Sequence, residues 1–147
     1  MKSGAGFTLI ELLTVIGVIS TISAMSVPAY SVIQKNINLK NYTKEIVSNL
    51  RQAQNLAITS QGGTAHGIYF EQGKYFLCKI DCSATNRTSS FDLKNGVEII
   101  QGIGDSVIFK KLSGAKSGSG ASIVVGFPSG QRQTIQINSV GKVSVIN

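Results

Sequence analysis

Between Phe7 and Gln34 the chain carries a single charge, Glu11, in the run FTLIELLTVIGVISTISAMSVPAY. A helix needs about 20 consecutive apolar residues to cross hydrocarbon, so this stretch calls for cover by lipid or by a helical core. A secretory signal peptide places its small-residue cleavage site after the hydrophobic run. Here Ser3, Gly4, Ala5 and Gly6 come before it, so a cut at Gly6 leaves the apolar helix on the mature chain.

Pro28 interrupts the helical pattern, because it lacks an N–H and its ring collides with the preceding turn. The periodicity then resumes. Leu39, Tyr42, Ile46, Leu50, Ala53 and Ala57 recur every three or four residues, with Lys40, Lys44, Arg51 and Gln52 mostly off that face. Ser60-Gln61-Gly62-Gly63 supplies the stop, and one helix of two halves is predicted over 8–59. Downstream, short β-like runs at 66–71, 74–80, 97–101, 107–112, 123–127, 133–137 and 142–146 alternate with Gly, Ser and Asn. Gln72-Gly73 suggests a tight hairpin, and alternation over 134–138 suggests one buried and one wet face. The polar stretches 83–90 and 113–122 read as mobile loops. The expected fold is α+β: a long N-terminal helix, half membrane-type and half amphipathic, packed on C-terminal antiparallel sheets. At 147 residues, 42% of them hydrophobic, the chain has room for one modest domain besides the apolar run.

Lys and Arg number 14 against 7 Asp and Glu, a formal charge of +7, and no acid follows Asp105. Lys110, Lys111, Lys116, Arg132 and Lys142 therefore make a basic C-terminal region suited to nucleic acid, acidic lipid or an acidic partner, or simply to solubility. Signs of catalysis are sparse. Gly114-Ala115-Lys116-Ser117 has the Lys-Ser of a phosphate loop, but Ala115 stands where glycine must precede the lysine. His66 is the sole histidine, expected as a polar residue at a strand edge, so no His-based metal cluster can form. Glu71, Asp81, Asp92, Glu98 and Asp105 are scattered over loop and strand boundaries rather than paired for acid–base work. These features imply no enzyme, metal or cofactor. Cys78 and Cys82, in CKIDC, form a short disulfide loop in an oxidising compartment or remain two partly buried thiols; both readings stay open.

Gly6-Phe7-Thr8-Leu9-Ile10-Glu11-Leu12-Leu13, with Pro28 later in the same helix, closely resembles the leader junction of type IV pilins and type II secretion pseudopilins. The resemblance implies that a prepilin peptidase cuts between Gly6 and Phe7 and methylates the new amine of Phe7. It divides the chain into a leader at 1–6, a transmembrane and filament-core helix at 7–30, an amphipathic helix at 31–60 and a β-rich globular domain at 61–147. A charge in hydrocarbon costs on the order of 2.5–3.5 kcal/mol, so Glu11 asks for a partner. The resemblance supplies one: the amine of Phe7 on a neighbouring subunit, a pairing that sets register in the filament core. Other implied partners are further pilins or pseudopilins and an inner-membrane assembly platform. The implied location is the inner membrane, single-pass with the globular domain outside the cytoplasm, and then the pilus or pseudopilus. Lys35, Lys40 and Lys44 follow the span while Lys2 precedes it, so the junction motif, not the charge distribution, carries this orientation.

Val125-Gly126-Phe127-Pro128-Ser129-Gly130, then Thr134-Ile135-Gln136-Ile137 and Gly141-Lys142-Val143-Ser144-Val145, resemble the C-terminal pattern of the GspH/FimT group. The helix end Leu50-Arg51-Gln52-Ala53-Gln54-Asn55-Leu56-Ala57 is similar to that group's helix exit. The group implies a minor pilin or pseudopilin and, as an alternative, a pilus-borne receptor for double-stranded DNA in natural transformation. DNA-binding members carry a GRxR-like motif at the final strand. Here it reads Gly141-Lys142-Val143-Ser144, so a point charge and a hydroxyl replace two planar phosphate-gripping forks.

Overall fold

The structure, a computed structural model, describes residues 6–146, with the backbone alone at residues 25–29 and 61. Residues 1–5 of the expected leader and the ring of Pro28 therefore lie outside the described residues. The chain divides into two compact units, Met1–Lys35 and Asn36–Asn147. One helix, α1, runs over Leu9–Ile58, matching the predicted 8–59.

In the first unit, Thr8 starts the helix. The Glu11 N–H donates to the Thr8 carbonyl at 3.1 Å and to Thr8 Oγ1 at 3.3 Å, which satisfies one of the open N–H groups of the first turn. The described side chains from Leu9 to Ala24 occupy sixteen positions, about 24 Å of helix against the ~30 Å of a hydrocarbon core. Among the described residues no helix is long and apolar enough to cross a membrane. The rest of the expected span runs into residues 25–29, whose side chains lie outside the description.

The described residues of the second unit form eight strands in two antiparallel sheets. One has the order β3-β2-β1-β5, with β1 His66–Glu71, β2 Lys74–Lys79, β3 Arg87–Asp92 and β5 Ser106–Phe109. The other has the order β4-β6-β7-β8, with β4 Glu98–Gln101, β6 Ala121–Gly126, β7 Arg132–Ile137 and β8 Val143–Ile146. The expected hairpin joins β1 to β2, pairing Glu71 with Lys74 across Gln72-Gly73. Ile135 and Ile137 are buried while Gln136 is exposed, as the alternation requires.

Leu39, Ile46, Leu50, Ala53 and Ala57 on α1 are buried against Ile68, Phe70, Val107 and Phe109 of the first sheet and Ile99, Ile123, Val125 and Ile135 of the second. Each large member contributes about 1.5–3 kcal/mol by leaving water. The sheets are also stitched directly, the Ile99 N–H donating to the Gln72 carbonyl at 2.7 Å. Tyr75 crosses this core with its hydroxyl at the helix. Asn49 Nδ2 donates to the hydroxyl at 2.7 Å, and the hydroxyl donates to Glu45 Oε1 at 3.1 Å. Phe91 stacks on its ring, centroids 5.1 Å apart.

The structure corrects three sequence readings. The stretch 83–90 is not loop throughout, because Arg87–Asp92 forms edge strand β3 against β2. Its Thr88, Ser89 and Ser90 are all exposed, which erases the alternation that marks a strand with one wet face. His66 is not an edge residue: it starts the strand that lies between β2 and β5, and only 3% of it is exposed. The stretch 113–122 is not loop throughout: it is pinned near its middle, Lys116 N–H to the Ser139 carbonyl at 3.1 Å and Ser117 N–H to the Ile108 carbonyl at 2.7 Å, and its last two residues enter β6.

Tyr75→Phe removes both hydroxyl bonds and is expected to destabilise the fold by about 1–2 kcal/mol in urea denaturation. Burial, followed by the nearby Glu45 carboxylate, pushes the Tyr75 hydroxyl well above its ordinary value of 10.0. Its contribution is therefore complete below pH 10 and lost as pH rises beyond it. The wild type should lose stability above that pH, and Tyr75→Phe should flatten that part of the curve.

Candidate functional site

The basic residues of the C-terminal region do not form one face. Lys110, Lys111, Arg132 and Lys142 are exposed, but only 9% of Lys116 is. Lys116 Nζ donates to the Ser119 carbonyl at 2.6 Å and the Ser117 carbonyl at 3.2 Å, so it is spent holding its own loop. That removes it from any phosphate-binding surface. Arg132 opens β7 opposite Gly126, whereas Lys142 lies beyond the other end of β7, where Ile137 pairs with Val143. Five residues of strand put about 17 Å between the two ends.

The turns next to Lys110, Lys111 and Lys142 meet near the end of α1. Gln54 Nε2 donates to the Gly114 carbonyl at 2.9 Å and to the Gly141 carbonyl at 3.1 Å. One amide thus fixes the turn after β5 and the turn before β8. The Leu112 N–H adds a bond to the Ala57 carbonyl at 2.9 Å. Gly141 has φ +94°, and a Cβ there would collide with the Gly114 carbonyl oxygen, so the contact between the turns requires glycine.

From this end a shallow groove of about 520 Å³ runs over the outer face of the second sheet, lined by Ser122, Gln136, Asn138, Lys142 and Ser144 among others. Ser122, Gln136 and Ser144 are register partners across β6, β7 and β8. Lys142 and Ser144 share the groove, so the positions of the GRxR-like pattern do face one surface, with one cation present. Arg132 belongs to a separate groove with Lys40 on α1.

On the first sheet, Arg87 lies 4.0 Å from the Tyr69 ring centroid and 4.8 Å from that of Phe76, and donates through Nη1 to Glu71 at 2.9 Å. Cys78 and Cys82 are joined as a disulfide, with Cα atoms 4.9 Å apart. Asp81, inside this loop, accepts from Asn86 Nδ2 at 2.7 Å and from the Ser83 N–H at 3.1 Å. Those bonds, Asn86 first, hold its carboxyl down at about 2. Sequence reasoning missed both Arg87 and Gln54. Gln54 stood inside the helix-exit pattern, but its partners are carbonyls, which leave no trace in side-chain identity.

At the N-terminal end, Phe7 is 83% exposed and Glu11 is exposed in the first turn of α1, where the helix dipole favours a carboxylate. Leu9, Ile10, Leu12, Leu13, Val15, Ile16, Val18, Ile19 and Ile22 are all exposed. They surround the helix rather than striping one face. The hydroxyls among them bond back to the helix: Thr14 to the Glu11 carbonyl, Ser20 to Ile16, Thr21 to Val18 and Ser23 to Ile19, all at 2.8–2.9 Å. Comparison of the chain with protein-family models, with curated proteins and with solved structures gives no match.

Gln54→Ala is expected to cost about 1–3 kcal/mol, since two half-buried carbonyls lose their donor. Amide exchange should accelerate around Gly114 and Gly141 while β1 and β2 remain protected. Unchanged exchange at both turns would show that they are held by other contacts.

Proposed function

We propose that the chain is a type IV pilin-like filament subunit, a GspH/FimT-type minor pilin or pseudopilin, and acts by assembly rather than catalysis. The observation that carries this reading is the helix at residues 9–24. It is apolar on every side and exposed, its hydroxyls bond to its own backbone, and Glu11 stands at its start. A helix hydrophobic all round must be covered by lipid or by other helices. On this reading the prepilin peptidase cuts after Gly6 and methylates Phe7. The subunit then rests in the inner membrane, single-pass with its globular domain outside the cytoplasm, until the assembly platform adds it to a pilus or pseudopilus. Glu11 then pairs with the Phe7 amine of a neighbour, while Pro28 loosens the helix within the filament core.

Glu11→Ala should leave the amount of membrane-bound protein unchanged and lower its recovery in sheared filaments at least about tenfold, the loss expected for an ion pair broken in an apolar core. Wild-type recovery would remove the pairing argument.

A second reading, double-stranded DNA capture by the assembled subunit, draws on Lys110, Lys111 and Lys142 at the Gln54 end. Contacts to phosphate make binding sequence-independent and steeply salt-dependent. Exchanging these three lysines for Gln should abolish a low-salt gel shift of duplex DNA, whereas Lys40→Gln with Arg132→Gln should leave it. Equal loss in both sets would mark generic charge attraction.

A further inference from the structure

A groove of about 380 Å³ between α1 and the β6–β7 turn is lined by Asn36, Leu39, Lys40, Gln131, Arg132 and Gln133. The lining supplies two cations and three amides and includes no carboxylate. Arg132 is pre-positioned: its Nη2 donates to the Pro128 carbonyl at 3.2 Å, and its Cγ lies 2.9 Å from where a Cβ on Gly126 would fall. The ion pairs among the described residues both involve Glu71, so neither Arg132 nor Lys40 is neutralised by one. A tethered guanidinium beside a lysine, with amides around them, suits a phosphate oxyanion.

The sequence position narrows the source of that phosphate. Lys35 and Lys40 are the first cations after the apolar run that ends at Tyr30, and Arg132 is brought to Lys40 by the fold. Long cationic side chains near the end of a span reach back to the interface, where headgroup phosphates lie. We infer that the groove holds the phosphate of an anionic phospholipid while the subunit waits in the membrane, with Arg132 gripping the oxygens and Lys40 adding a second charge. This rests on the membrane-anchored reading of residues 7–30.

The full-length chain is reconstituted into nanodiscs of phosphatidylcholine with an admixture of phosphatidylglycerol. The discs are floated to score insertion and then dissolved in neutral detergent, and retained lipids are counted by native mass spectrometry. Phosphatidylglycerol should be retained over phosphatidylcholine, Lys40→Gln and Arg132→Gln should each lower its retention about fivefold, and Lys40→Arg and Lys110→Gln should preserve it. Equal retention of the two lipids, or retention unmoved in the Lys40→Gln, Arg132→Gln double variant, overturns the headgroup site while leaving anchoring intact. Displacement of the lipid by millimolar inorganic phosphate, or by duplex DNA, overturns it by assigning the groove to another phosphate. Failure to float with the discs overturns the anchored reading and the headgroup site together.

Discussion

The amide of Gln54 is where three separate pieces of chain become one object. It reaches from the helix to the turn that follows the first sheet's edge strand and to the turn that opens the second sheet's last strand. Apolar burial along α1 supplies most of the adhesion between helix and sheets, yet burial is non-directional and does not choose where two turns meet. A forked hydrogen bond with glycine at both acceptors does. The close approach of Gly141 to Gly114, which only a residue without Cβ allows, sets where the exposed lysines around it can stand.

The helix and most strands were legible because their signal is periodic. Leu39 to Ala57 recur at the helical interval, and Ile135 and Ile137 alternate with polar neighbours, so burial follows directly from spacing. What stayed hidden lacks a period. The strand Arg87–Asp92 exposes three consecutive small polar residues, and its anchors stand near its two ends: Arg87 against the Tyr69 and Phe76 rings, and Phe91 stacked on Tyr75. Lys116 sits among Gly, Ala and Ser and reads as solvated, yet carbonyls of its own loop bury its ammonium group. The polarity of His66 points to an edge, whereas its neighbours β2 and β5 decide its exposure.

Charge shows the same limit at larger scale. A count along the sequence merges five cations into one basic region. In three dimensions a strand's length separates Arg132 from Lys142, and a carbonyl pair withdraws Lys116. Two smaller sites replace the single face: lysines at the helix exit, and a cation pair made from residues 92 positions apart, Lys40 and Arg132. Affinity for an anion depends on how many charges it can touch at once, so this partition matters more than the net value of +7.

The serines and threonines of the first helical unit have a consequence for how a helix changes its surroundings. Thr14, Ser20, Thr21 and Ser23 each donate to a carbonyl within their own helix. Their hydrogen bonds travel with the helix. Exchange of one apolar neighbour for another, hydrocarbon chains for leucine and isoleucine side chains, breaks none of them and strands no donor. Among the described residues 9–24, Glu11 alone is charged, and its carboxylate cannot be satisfied from within. The surface of residues 9–24 would thus be almost indifferent to which of two apolar media enclosed it, with one acid to sense the difference.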